Sequence, residues 1–255
     1  TRLKMGTGLE ISSIADVPAG TGMGSSSSFT VGTLHNLMAR TGRADEATKA
    51  WLAEQACAVE LGDLGEPIGK QDQYAAAFGG FQIYRFNPDE SVSVQPVALP
   101  DPEGWLSHLR LYYLGNQRSA SAILAEQSRE SAKRSKQDVL RDMVGLVDPL
   151  AAALGQSDWH ECGRLMHENW LLKQSLASGI SDLGIQDAYQ RGLAAGALGG
   201  KLLGAGGGGF MLFVVRPEDR AALDSALSDL RPFPFTWDFE GSRIIYSDEV
   251  PTLER

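Results

Sequence analysis

The stretch Pro18-Ala19-Gly20-Thr21-Gly22-Met23-Gly24-Ser25-Ser26-Ser27-Ser28 decides how the rest of this chain is read. Glycines at alternate positions let a backbone take positive φ and come close to a ligand. After the serines comes an apolar-periodic run, Phe29, Val31, Leu34, Leu37 and Met38, that stops at Thr41-Gly42. The pattern predicts strand, glycine-rich loop and helix in succession. Free N–H groups and the dipole at such a helix start attract an anion. The hydroxyls offer donors to phosphate oxygens and a hard oxygen ligand for Mg²⁺. No lysine follows the last glycine, so this is not a Walker A loop, and the spacing does not fit a dinucleotide fingerprint. The alternative is a plain turn whose serines cap the helix.

Outward from the loop, a second helix is predicted over about 45–61, with Trp51, Leu52, Ala56 and Val59 on one face. The period then changes to two, and 81–86 and 91–94 read as a strand pair joined by Asn87-Pro88-Asp89. The Pro-rich stretch from Pro96 to Pro102 is the expected boundary between a domain over 1–100 and one over 101–255. Beyond it come a strand at 109–114 and helices over about 119–133, 136–154, 159–176 and 182–197. A second glycine cluster follows, Gly199, Gly200, Gly204 and Gly206 to Gly209. A buried strand at 210–215, a helix over 218–230 and short strands at 236–239 and 243–246 complete an α+β chain.

Composition narrows the function classes. In 255 residues, 32 acidic side chains against 23 basic ones give a net charge of -9. That disfavours a broad hold on nucleic acid or anionic lipid and leaves room for a local cationic pocket. Cys57 and Cys162 are the only cysteines, too few for a disulfide scaffold. No apolar run reaches the roughly 18 residues of a membrane span, and the cytoplasm is the expected compartment. His35, His108, His160 and His167 show no metal spacing, and Trp51, Trp159 and Trp170 read as packing residues.

Two acidic residues carry possible chemistry. Asp72 lies between Gln71 and Gln73, ahead of Tyr74. A carboxylate near a phosphate site can hold a metal or accept a hydroxyl proton, although Asp72 can equally cap a helix starting near Gln73. Glu60 by itself reads as an exposed helix glutamate. In Lys201-Leu202-Leu203-Gly204-Ala205-Gly206-Gly207-Gly208-Gly209 the four successive glycines remove every Cβ that would block close approach of a ligand, or the stretch is simply a flexible loop before a strand.

These segments together resemble the GHMP small-molecule kinases. Pro18 to Ser28 is similar to their Pro-x-x-x-Gly-Leu-Gly-Ser-Ser-Ala-Ala motif, with Met23 for Leu and Ser27-Ser28 for the two alanines. Asp72 stands seven residues before Gly79-Gly80, and Glu60 seven before Pro67, as in galactokinase-like and mevalonate-kinase-like members. The resemblance implies a two-domain fold, ribosomal-protein-S5-like then ferredoxin-like. It implies that Pro18, Gly20, Gly22, Gly24, Ser25, Ser26 and Ser27 hold ATP phosphates. Ser26 and Glu60 would be Mg²⁺ ligands and Asp72 the catalytic base or charge stabiliser. The second glycine motif would approach phosphates and substrate, giving Gly206, Gly207 and Gly208 a substrate role.

The wording of 69–80, of 118–124 and of 199–206 is similar to D-glycero-D-manno-heptose 7-phosphate kinases, which make the 1,7-bisphosphate from ATP. A phosphorylated acceptor calls for a cationic grip, and Arg118 and Lys201 are the expected candidates. The same chemistry on fucose, galactose or another sugar phosphate, and a non-catalytic sugar and ATP sensor, are the alternatives. Members of this family carry a first strand and loop that find no match ahead of Thr1. Alternation at Leu3, Met5, Leu9 and Ile11 also reads as a strand needing neighbours. An N-terminal part of the fold is therefore expected beyond this sequence, with weak turnover and uncovered apolar surface if it is absent.

Overall fold

The computed structural model describes residues 10–15, 17, 21–115, 126, 129–131, 134–177 and 179–246. Most of the strand expected at 3–11 and of the helix expected at 119–133 lies outside them, as do Pro18, Gly20 and Arg118. The chain forms two compact units. Gly24–Tyr84 and the segment from Asp238 belong to the first; residues 21–23 and Arg85–Trp237 belong to the second. The division therefore falls within the first strand of the predicted pair, ahead of the Pro96–Pro102 stretch.

In the first unit, α1 (Ser25–Arg40) follows Gly24, whose φ of 67° is left-handed. It ends where the Thr41 hydroxyl bonds the carbonyls of Leu37 and Met38, with Gly42 at φ 70°. Helix α2 (Lys49–Cys57) is capped by Thr48, whose side chain accepts from the Trp51 N–H. It runs on as a π-helical turn, Ala58–Asp63, closed by Leu64 N–H on Val59 O at 2.9 Å. The predicted helix over 45–61 is thus a 3₁₀ turn, an α-helix and a π turn. Helix α3 (Gln71–Phe78) completes the unit, and Val31, Leu34, Met38, Leu52, Ala53, Ala56, Tyr74 and Ala77 are buried.

The segment after Asp238 returns to the end of α3. Gly79 has φ 66°, and a Cβ there would stand 2.2 Å from Gly241 N. Lys49 Nζ bridges the carbonyls of Phe78 and Glu240 at 2.9 and 2.6 Å. The short strands predicted at 236–239 and 243–246 do not form. Asp238 instead makes a turn, its Oδ1 accepting from the N–H groups of Glu240 and Gly241, and its carbonyl takes the Gly80 N–H.

Strands β1 (Gln82–Phe86) and β2 (Val92–Pro96) pair as predicted. The second unit is built on a four-stranded sheet, ordered β4-β5-β3-β6, with β3 at Leu109–Tyr113, β4 at Ala197–Leu202, β5 at Phe210–Val215 and β6 at Arg231–Pro232. Its recorded pairings are antiparallel, with Leu111 opposite Leu212 and Lys201 opposite Leu212 on either side of β5. Helix α4 (Pro102–Ser107) precedes β3. The helix predicted at 136–154 breaks at Leu146 into α5 (Arg134–Gly145) and α6 (Val147–Gly155). Helices α7 (Trp159–Gln174) and α8 (Leu183–Ala194) pack on β4, and α9 (Arg220–Ala226) follows β5.

Strand β4 was not predicted, because Gly199 and Gly200 read as loop. Both glycines serve packing: a Cβ on Gly199 would stand 1.9 Å from Gly163 O in α7, and one on Gly163 2.6 Å from the Leu198 Cβ. The core gathers Tyr112, Trp170, Leu176, Ile180, Tyr189, Leu202 and Phe213.

Candidate functional site

The first unit brings Gly24, Ser26, Ser27, Glu60, Asp72 and Gln73 together. Glu60 lies one helical turn beyond Ala56 on the buried face and is fully buried. Ser26 Oγ donates to its Oε1, Ser27 Oγ to its Oε2 at 2.8 Å, and Gln73 Nε2 to the same Oε2 at 2.6 Å. An exposed glutamate was the reading from sequence alone; four side chains from three elements show why it is buried instead. No side chain caps the start of α1. The serines therefore do not serve as caps there: the hydroxyls of Ser26 and Ser27 turn to Glu60, and the first N–H groups of the helix keep their capacity for an anion.

Asp72 does not cap α3 either, whose first residue follows Lys70 with no side-chain cap. Its carboxyl lies against the loop: a Cβ on Gly24 would stand 3.5 Å from Asp72 Cβ and Cγ. Asp72 keeps solvent access, yet the protein packed around its carboxyl, and secondly the Glu60 charge, raise its pKa above the ordinary aspartate value. Gln73 was missed by sequence reasoning. Its Oε1 is buried with no partner in the protein.

These residues fit Mg²⁺ and a nucleotide phosphate. A hydroxyl and a carboxylate meet as hard oxygens, a second carboxylate stands near, and an amide oxygen lacks a donor. Among the described residues no group of three or more His, Cys, Asp and Glu forms a metal cluster.

The second unit holds residues 21–23 against the second glycine loop. A Cβ on Gly204 would stand 2.5 Å from Gly22 Cα, and one on Gly209 2.3 Å from Thr21 O. Gly22 itself has φ 75°. Of the predicted substrate glycines, Gly206 lies on Ile180, and the Gly207 N–H is bonded to Ile180 O at 3.0 Å. Gly208, at φ 140°, completes the turn. Lys201 donates from Nζ to Asn169 Oδ1 at 2.9 Å. Lys173, which sequence reasoning missed, is buried and donates to Gly204 O. A signal was present: Met166, Trp170 and Lys173 follow one another on the buried face of α7. Three of the four histidines have partners within the fold: His35 on Ser242, His108 on Gly104 O and His167 on Tyr189.

An uncapped helix start after the left-handed Gly24, a hydroxyl on a buried glutamate and an aspartate beside the loop thus lie together in the first unit. Residues 1–80 match the GHMP kinases N terminal domain and residues 150–230 the GHMP kinases C terminal domain. The chain is 31% identical over 235 residues to a D-glycero-alpha-D-manno-heptose 7-phosphate kinase of Campylobacter jejuni, covering 84% of this chain and 63% of that protein. It is 30% identical over 246 residues to a mevalonate kinase of Thermococcus sibiricus, covering 93% of this chain and 69% of the relative. A crystal structure of a D-glycero-D-manno-heptose 1-phosphate kinase from B. thetaiotaomicron superposes with a TM-score of 0.63 at 27% identity, over 91% of this chain and 66% of the other. The chain belongs to the GHMP kinases and has their two-domain fold. It spans somewhat less than two thirds of the length of the heptose phosphate kinase relative.

Proposed function

We propose that the protein is an ATP-dependent sugar kinase that transfers the γ-phosphate to the anomeric hydroxyl of D-glycero-D-manno-heptose 7-phosphate, a step of nucleotide-heptose synthesis. The observation that carries this reading is Asp72, held beside Gly24 at the start of α1 and next to the Ser26–Glu60 pair. The names of the Campylobacter relative and of the solved heptose kinase support the choice of sugar.

In this reading the N–H groups at the start of α1, with Gly22, Gly24 and Ser25, face phosphate oxygens and stabilise the charge that builds up during in-line transfer. Ser26 and Glu60 would hold Mg²⁺, which neutralises phosphate charge when bound. Asp72 accepts the proton of the attacking hydroxyl, or orients it. Its raised pKa keeps it a better base than an ordinary aspartate. Ser27 and Gln73 fix the Glu60 carboxylate, and Lys201 addresses the phosphate that the acceptor already bears. Pro18, Gly20 and Arg118 lie outside the described residues, and their phosphate and sugar-phosphate roles are part of the proposal.

The test is ADP release with ATP, Mg²⁺ and a panel of heptose 7-phosphate, fucose, galactose and mevalonate. ADP formed with the heptose phosphate and lost in Asp72→Asn supports the reading. Release with another acceptor reassigns the substrate, and ATP binding without ADP from any acceptor replaces the kinase by a sensor.

A further inference from the structure

We propose that Lys173 of α7 and Lys201 of β4 form a phosphate-binding pair within the second unit, and that it takes the phosphate already carried by the acceptor. The pair adds Lys173 to the proposed kinase reading and rests on it for the identity of the acceptor.

Asn169, the partner of Lys201, stands one helical turn from Lys173 in α7, so the two ammonium groups are neighbours, each with a neutral partner. Lys173 donates to Gly204 O and Lys201 to Asn169 Oδ1. Each ammonium has three donors, so one bond to a neutral oxygen leaves most of its capacity unused. Burial is severe for Lys173, at 8% exposure, while Lys201 is only half-buried and gives the pair an opening. Among the described residues no carboxylate offsets either charge. Burial, and then the Lys201 charge, push Lys173 down to about 7, and burial lowers Lys201 as well. Two like charges largely screened from water are costly, and the cost is relieved by an anion between them or by loss of a proton.

A phosphate monoester matches this requirement: it carries up to two negative charges and enough oxygens to satisfy both ammonium groups. Within the second unit, the Gly204 carbonyl that Lys173 holds belongs to the residue packed on Gly22. The nucleotide phosphates already have the uncapped start of α1. The pair is accordingly assigned to the acceptor's own phosphate.

Isothermal titration without turnover tests the pair, with inorganic phosphate, heptose 7-phosphate, the unphosphorylated heptose and ATP·Mg²⁺ as probes. Lys201→Met and Lys173→Met should each weaken inorganic phosphate and the sugar phosphate by roughly tenfold or more, and ATP·Mg²⁺ by less than about threefold. Lys201→Arg, which keeps the charge, should restore most of the binding. Lys201→Met stands near the surface and serves if Lys173→Met fails to fold. Weakened ATP with unchanged sugar phosphate would overturn the source and hand the pair to the nucleotide. No change for any probe would overturn the pair and leave Lys173 as a brace for the glycine loop. Lysine-dependent phosphate binding with no ADP from any acceptor would retain the pair and overturn the kinase reading; ADP formation with lysine-independent phosphate binding would do the reverse.

Discussion

Asp72 and Lys173 show how one side chain can be tuned by its surroundings in opposite senses. Asp72 is raised by burial and by Glu60. Asp72→Asn keeps the volume and removes the base, so ATP·Mg²⁺ affinity should stay within a few-fold while kcat falls by about 10² or more. An unchanged kcat would remove Asp72 from the chemistry. Ser26→Ala deletes a hydroxyl from the Glu60 carboxylate, and the Mg²⁺ concentration for half-maximal turnover should rise; a superimposable Mg²⁺ titration would exclude Ser26 as a ligand. Lys173 is lowered to about 7. Below that pH both the folded and the unfolded chain carry the proton, and the folded protein bears the full charge penalty. From about 7 upward the unfolded chain binds a proton that the folded one does not, so stability rises with pH, by up to about 1.4 kcal/mol per pH unit. Urea denaturation at several pH values should show this slope between pH 7 and 9 in the wild type and not in Lys173→Met. Parallel curves would deny the shift.

At the scale of elements, glycines decide which surfaces can meet. Gly163 in α7 lets Leu198 of β4 approach, and an added Cβ would stand 2.6 Å from the Leu198 Cβ. Gly163→Ala should lower unfolding stability by about 1–3 kcal/mol, measured in urea; a loss under about 0.5 kcal/mol would mean that the helix slides aside freely. The same glycines explain what was legible. Helix α1, the β1–β2 pair, β3 and β5 follow from apolar period and turn chemistry, which are local. Strand β4 does not, because Gly199 is placed by α7 and Gly200 by Leu212 of β5, contacts that the local sequence does not show. The α2 reading is right in place and misses the change of helix type, for a related reason. A π turn leaves no mark in the apolar period, yet it delivers Glu60 to Ser26 and Gln73. In the candidate site, Asp72 and the glycine–serine loop were visible as motifs. Gln73 was not, since a polar residue in a helix reads as surface until its partners are known, and Lys173 had only its place in period with Met166 and Trp170.

Across the whole molecule, charge and glycine content point the same way. A net charge of -9, with Arg110, Arg164, Arg191 and Arg216 held in ion pairs, offers little to a polyanion. The protein should pass unretained over immobilised duplex DNA at low salt, and salt-dependent retention would overturn that expectation. The second unit closes around contacts between bare backbones, Gly204 on Gly22 and Gly209 on Thr21. Most tight contacts in proteins are negotiable: when one side chain grows, its neighbour can shrink. Here neither party to the Gly22–Gly204 contact has a side chain to give up. A substitution at one glycine should therefore have no second-site suppressor at the other, and the two positions would be frozen separately rather than drifting as a pair.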